Sequence, residues 1–314
     1  MHQPRQILIL SPFYNDEASF THFAADLEKT IQSIGDCRFS FLVINDGSTG
    51  GVDLRTTIPL TLVHLHRNIG HQKSIAIGLA YAEKNLNFDC VIIMDCDGED
   101  KPSDLVSLIE KSRQTNNIIV AKRGKRLEGI SFRIFYFMYK ILAHMLTGKK
   151  ITFGNFMLLP KAEVKKIIHY SEIWNHLAGT IIKSKLPYSQ ITFHRGKRHV
   201  GSSSMNFKSL LLHGLGAIGV FIEIIAARLM IFSLMMILLC ASAMLIVVYI
   251  KLFTREAIPG WATTVISSLL IVLLQSFLLS LFTIFLFLSS QGQQKIIPAH
   301  HFMDYIQLIE ANKD

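Results

Sequence analysis

The chain has 314 residues, 50% of them hydrophobic and 18% charged, with a mean hydropathy of +0.36, a length that suits one large domain or two ordinary ones. So much apolar content with so little charge excludes a disordered or nucleic-acid-wrapping chain. Four cysteines without short paired spacing exclude a disulfide scaffold and a zinc ribbon.

In chain order, short apolar runs alternate with helical patterns. Ile7–Leu10, Phe39–Ile44, Leu60–Leu65, Val91–Met94 and Ile118–Ala121 read as buried strands. Residues 16–34, 72–85 and 103–115 between them read as helices. This alternation predicts an α/β domain with a largely parallel sheet, whose ligands bind beyond the carboxyl ends of the strands. No apolar leader precedes the first strand, so the hydrophilic part is expected in the cytoplasm.

Further along, Ile130–Leu146 and Phe207–Ile222 combine aromatic and aliphatic residues with scattered cations. They read either as interfacial amphipathic helices or as core helices of the domain. Two stretches then lack charge altogether: 22 residues between Arg228 and Lys251, and 38 between Glu256 and Lys295, with an apolar centre over 261–288. About 20 apolar residues cross a bilayer, and Pro259-Gly260 marks a turn between the stretches. The expectation is a two-helix transmembrane hairpin in a bacterial-type inner membrane or its equivalent, with both termini cytoplasmic. Domain bounds follow as 1–205 a cytoplasmic α/β domain, 206–228 juxtamembrane, 229–290 transmembrane and 291–314 a cytoplasmic C-terminal tail. The net charge of +9 divides along these lines: residues 1–100 carry 7 Lys+Arg against 13 Asp+Glu, residues 101–228 carry 21 against 6, and the remainder 4 against 4.

The residues just after each strand carry the chemistry. They are Ser11-Pro12-Phe13-Tyr14-Asn15-Asp16-Glu17, then Asn45-Asp46-Gly47-Ser48, then Arg67-Asn68-Ile69-Gly70-His71-Gln72-Lys73, and Asp95-Cys96-Asp97-Gly98-Glu99-Asp100. Neither G-x-G-x-x-G nor G-x-x-x-x-G-K-[ST] occurs, which argues against a dinucleotide-dependent oxidoreductase and a P-loop ATPase. Four carboxylates within six residues repel unless a cation neutralises them. Oxygen donors suit Mg²⁺ or Mn²⁺ bridging to substrate phosphates. His64, His66 and His71 show no metal-type spacing and read as ordinary hydrogen-bonding residues. Cys96 reads as a small filler rather than a thiol nucleophile.

Taken in order and spacing over about the first 205 residues, these segments resemble the family 2 glycosyltransferases with the GT-A fold. The likeness is greatest to membrane-anchored polyprenyl-phosphate glycosyltransferases of the dolichol-phosphate-mannose synthase kind, a group in which a two-span C-terminal hairpin also occurs. The resemblance implies a GT-A (Rossmann-like, mostly parallel sheet) domain and inverting sugar transfer from a UDP- or GDP-sugar to a membrane lipid acceptor, above all polyprenyl phosphate. It implies that Pro12, Tyr14, Asp16, Asp46, Asn68 and Gly70 contact the nucleotide, and that Asp95, Asp97 and Glu99 hold the divalent ion with the diphosphate. It places Arg123 on phosphate, and it sets Arg198 to Ser204 against the family's R-x-x-G-x-S-K, with Ser203 inside the motif and Ser204 where lysine is usual.

Read from their charge, Arg195, Lys197 and Arg198 form a second basic wall, for a lipid phosphate, for the diphosphate or for anionic lipids. Family members often carry Gly-Asp-Phe where this chain has Gly154-Asn155-Phe156, and an amide accepts no proton. Either the acceptor is an ionised phosphate that needs no base, or another carboxylate such as Asp100 acts beside Asp97 and Arg123 in catalysis. Two other readings stand beside this one: transfer to a hydroxyl of a glycolipid or lipid-linked glycan, and a non-catalytic membrane scaffold. Self-association is compatible with the sequence but not encoded in any motif.

Overall fold

The structure is a computed structural model that describes residues 4–50, 52–123, 130–194, 196, 214–254, 260–292 and 295–312. It falls into two units. One contains residues 1–137, 150–220 and 295–314; the other contains 138–149 and 221–294.

The first unit is built on strands β1 (Arg5–Phe13), β2 (Cys37–Asn45), β3 (Leu60–Leu65), β4 (Cys90–Ile93) and β5 (Ile118–Arg123). Helices α1 (Glu17–Gln32), α2 (His71–Asn85) and α3 (Leu105–Gln114) connect them. All eight elements occur where the periodicity puts them. Strands β1 to β4 pair in parallel in the order β4-β1-β2-β3. Their near-continuous apolar runs are explained by burial on both faces. Along β1, Leu8 and Leu10 pack with α2 residues such as Ile75 and Leu79, while Ile7 and Ile9 pack with Phe20, Phe23 and Leu27 of α1 and Leu105 of α3.

β1 runs three residues past the predicted Leu10. Its pairing with β4 stops at Leu10–Ile93, whereas its pairing with β2 continues to Phe13–Asn45. Residues of a strand turn alternately to either neighbour. Pro12 therefore faces the side where β4 has ended, and its missing N–H breaks no ladder bond.

Three strands escape the periodicity. β6 (Phe153–Pro160) runs antiparallel between β4 and β5, β7 (Tyr188–Phe193) lies parallel to β5, and β8 (Ile306–Ala311) lies antiparallel to β3. The full order is β7-β5-β6-β4-β1-β2-β3-β8. Helices α5 (Lys161–Ile167) and α6 (Leu177–Ser184) follow β6.

The segment read from sequence as a C-terminal tail thus closes one edge of the sheet. It is held on the way by Trp174 Nε1 donating to Ile296 O at 2.8 Å and by Ala299 N donating to Ile168 O at 3.2 Å. Phe302 is fully buried against Tyr81.

The second unit contains two 32-residue helices, Ile222–Phe253 and Trp261–Gly292, which pack on each other. Their windows of mean hydropathy 2.8 and 2.6 make both long and apolar enough to cross a membrane. Large side chains such as Leu239, Leu245, Phe253, Leu278 and Phe285 are exposed, while Ser233, Cys240 and Val247 are buried. The sevenfold spacing of those three defines a single buried seam of small and medium residues, as expected of helices packing in lipid. Residues 138–147, the end of helix α4 (Ile130–Thr147), belong to this unit and expose Met138, Ile141, Leu142 and Met145. Arg228 Nη1 donates to Met145 O at 2.6 Å, placing a cation at the negative end of that helix. Residues 207–213 of the second amphipathic segment lie outside the described residues.

Candidate active site

Strand register brings the motifs together. Phe13, Asn45 and His64 are lateral neighbours across β1, β2 and β3, and Ile93 of β4 sits opposite Leu10. The loops after these strands therefore emerge side by side at one edge of the sheet.

The first two loops are tied together by side chains. Asn15, at φ +47°, donates its N–H to Ser48 Oγ at 3.0 Å and accepts from Thr49 N at 2.9 Å. Tyr14 is exposed, Pro12 is buried, and Asp16 caps α1 by accepting from Ser19 N. Asn45 Oδ1 accepts from Ser48 N at 3.0 Å, and its amide nitrogen meets His64 Nδ1 at 2.9 Å. On the far side of that ring, Nε2 lies 3.6 Å from Glu310 of β8.

Asp46 is buried, and both its oxygens accept backbone N–H groups, from Ile69 at 2.8 Å and Gly70 at 2.9 Å. It thereby anchors the start of α2, whose N-cap Gly70 has no side chain for the purpose. Burial raises its carboxyl above the usual range, against the lowering effect of those N–H bonds. Gly70 (φ +98°) is half-buried and Asn68 is exposed on the same loop.

The acidic loop after β4 is braced from within. Asp95 N donates to the buried Asp100 carboxylate at 3.0 Å, and Glu99 N donates to Asp97 Oδ1 at 3.0 Å. Asp100, the sequence candidate for a base, thus holds the loop's shape through one of its oxygens. Cys96 is buried with Sγ 3.6 Å from Pro12 O, and burial pushes its thiol far up, as expected of a filler. Gly196 N donates to Glu99 O at 2.9 Å, and a Cβ there would stand 2.3 Å from Gly98 O. The start of the basic segment is therefore fastened directly to the acidic loop. Arg195, Lys197, Arg198 and Ser203 themselves, and the Arg123 side chain, lie outside the described residues.

β6 supplies what the strand motifs do not show. Because it runs antiparallel with Met157 opposite Ile93, Asn155 arrives level with Asp95. Its amide nitrogen is 3.0 Å from His71 Nε2, which is itself 3.4 Å from Asp95 Oδ1. His71 reads from the sequence as an ordinary hydrogen-bonding residue, and nothing but its place at the first turn of a helix behind a strand-end motif hints at these partners.

Among the described residues no three acidic, His or Cys side chains converge into a complete coordination sphere. Asp95, Asp97 and Glu99 nonetheless place three half-buried carboxylates on the one short loop after β4. A few hard carboxylate oxygens completed by substrate phosphates are the donor set Mg²⁺ or Mn²⁺ favours. The residues present fit such an ion when it is shared with a diphosphate.

A sequence model described as "Glycosyl transferase family 2" matches residues 8–165. The uncharacterised glycosyltransferase YkcC of Bacillus subtilis (strain 168) is 26% identical, over 84% of this chain and 83% of its own. The undecaprenyl-phosphate 4-deoxy-4-formamido-L-arabinose transferase of Klebsiella pneumoniae (strain 342) is 22% identical, over 66% of this chain and 64% of its own. Among solved structures, glucosyl-3-phosphoglycerate synthase of Mycobacterium tuberculosis, crystallised with Mn²⁺, UDP and phosphoglyceric acid, superposes with a TM-score of 0.50. That match has 12% identity and covers 70% of this chain and 78% of the other, a likeness of GT-A fold alone. With a mostly parallel sheet, the motif loops at its strand ends and a matching family profile across them, the chain belongs to glycosyl transferase family 2.

Proposed function

We propose that this glycosyltransferase moves a sugar from a UDP- or GDP-sugar to polyprenyl phosphate at a membrane surface, with Mg²⁺ or Mn²⁺ assisting. The observation that carries the reading is Asn155. It stands beside Asp95 where the family often has a carboxylate, and its amide accepts no proton. A lipid phosphate is already ionised and needs no base, whereas a hydroxyl acceptor would. The name of the Klebsiella relative as an undecaprenyl-phosphate transferase supports the same acceptor class.

In this reading Asp95, Asp97 and Glu99 hold the ion, which when bound neutralises charge on the leaving nucleoside diphosphate. Pro12, Tyr14, Asp16, Asp46, Asn68 and Gly70 line the nucleotide. Asp46, both of whose oxygens already take backbone N–H groups, serves mainly by fixing the loop on which Asn68 lies. Arg123, Arg195, Lys197, Arg198 and Ser203 face phosphates, where cationic and hydroxyl donors stabilise charge best. Attack by a phosphate oxygen on the sugar, opposite the diphosphate, inverts the anomeric centre. The apolar helix pair holds the unit at the bilayer, with the catalytic unit and both termini on the cytoplasmic side.

The test uses full-length protein in detergent with undecaprenyl phosphate, Mn²⁺ and a panel of UDP- and GDP-sugars. One donor should label the lipid, and Asp97→Ala or chelation should abolish labelling. Full activity after either change would refute the metal-assisted mechanism. A product linkage resistant to mild acid would move the acceptor to a hydroxyl. Nucleotide binding without turnover on any donor would favour a scaffold.

A further inference from the structure

His71 opens helix α2, and its position is fixed from behind by Asp46, which takes the two N–H groups just before it. In front, its ring nitrogen Nε2 meets two groups at once: the Asn155 amide at 3.0 Å and Asp95 Oδ1 at 3.4 Å. Asn155 is 9% exposed, and both Asn155 Oδ1 and Asp95 Oδ1 are buried without a hydrogen-bond partner among the described residues. Two orphaned acceptors beside one ring nitrogen have a common resolution. The two ends of an amide have the same shape, and a half-turn of the Asn155 side chain exchanges oxygen for nitrogen. A ring carrying its proton on Nε2 then donates to Asn155 Oδ1 and to Asp95 Oδ1 together. The other tautomer would set a nitrogen lone pair against the carboxylate and leave both acceptors unsatisfied.

We propose that His71, held in register by Asn155, is a positioning residue of the transfer reaction. Its Nε2–H fixes the Asp95 carboxylate, leaving the other carboxylate oxygen to the cation. This gives residue 155 a second reason to be an amide. A carboxylate there would compete with Asp95 for the same N–H and add another negative charge at the strand end. Groups that orient a metal ligand in this way commonly govern affinity about 10–100-fold. The inference rests on the metal-assisted reading above.

The experiment measures Mn²⁺ binding to the full chain in detergent by electron paramagnetic resonance, with UDP and with GDP present. The variants are His71→Gln, His71→Asn, His71→Leu and Asn155→Leu. A glutamine places its amide nitrogen near the reach of Nε2, whereas an asparagine stops short at the reach of Nδ1. His71→Leu, His71→Asn and Asn155→Leu should each weaken Mn²⁺ binding about 10-fold or more, with kcat lowered and the KM for lipid acceptor unchanged. His71→Gln should bind as the wild type does. Thermal unfolding without metal identifies any variant that fails to fold, and the Gln-against-Asn contrast then carries the result. Equal binding by His71→Gln and His71→Asn, or undiminished binding by His71→Leu, overturns the inference alone. A wild-type protein that binds no Mn²⁺ with either nucleotide overturns the metal-assisted reading, and this inference with it.

Discussion

Gly47 shows how narrowly the nucleotide-side loop is built. It sits at φ +69°, and a Cβ would stand 2.5 Å from both Arg67 C and Asn68 N, which are backbone atoms with no rotamer to yield. Gly47→Ala should therefore destabilise the protein by at least about 1–3 kcal/mol from backbone strain alone. It should also displace the loop that carries Asn68. The first effect is read as a lower Tm in detergent, the second as weaker binding of UDP or GDP. An alanine variant with unchanged Tm would mean the loop is looser than its geometry implies. The Asp-Gly-Ser pattern marked this turn in the sequence, but not what it packs on. The close approach of 47 to 67 and 68 exists only because β2 and β3 are neighbours in the sheet.

At the scale of elements, the returning C-terminal segment is the largest departure from the sequence pattern. Phe302 is 1% exposed beneath it, and β8 covers the edge of β3, an edge that would otherwise present unpaired backbone groups. Phe302→Ala should cost about 3–5 kcal/mol. Truncation after Gly292 should leave protein that aggregates on size-exclusion chromatography, and a monodisperse, active truncation would show the strand to be dispensable.

Nearby, Glu172 bonds Lys183 of α6 at 2.8 Å, with both side chains largely buried. Burial pushes the Glu172 carboxyl up, but the Lys183 ammonium and further donors outweigh it, so it lies below its ordinary value of 4.5. The unfolded chain then holds more protons than the folded one in the window below 4.5, so stability from the pair is complete above that window and is lost as pH falls through the folded value. Glu172→Gln should accordingly lower stability by about 1 kcal/mol at neutral pH. Its Tm should converge with that of the wild type in acid, and a gap that persists below the carboxylate range would refute the pairing.

For the molecule as a whole, connectivity constrains topology. The chain leaves the sheet unit at residue 220, runs through two apolar helices, and re-enters the same unit at 295. If both helices cross a membrane, the chain returns to the side it left, as the pairing of β8 with β3 requires. Alkaline phosphatase fused after Arg255 should therefore be active on the far side of the membrane, whereas phosphatase fused at the C-terminus should be inactive and a fluorescent-protein fusion there bright. An active C-terminal phosphatase would contradict the hairpin. The charge follows the same plan: −6 over residues 1–100, where the carboxylates gather, and +15 over 101–228, before the apolar stretches.

The sequence by itself determined the five parallel-type strand runs, their helices, the four motif loops and the two apolar spans. Each of these is written locally, as periodicity, as uncharged length or as residue spacing. Only the tertiary structure decided the antiparallel insertion of β6, the closure by β8 and the meeting of His71, Asn155 and Asp95. Those depend on meetings between residues from 24 (His71 and Asp95) to 250 (Thr61 and Ala311) positions apart, and strand order and register leave no trace in any single window of sequence. Asp46 makes the same point: the family resemblance implies a nucleotide contact for it, and in the folded chain both its oxygens also accept the N–H groups that start a helix, because buried backbone N–H groups must find acceptors wherever the fold brings them.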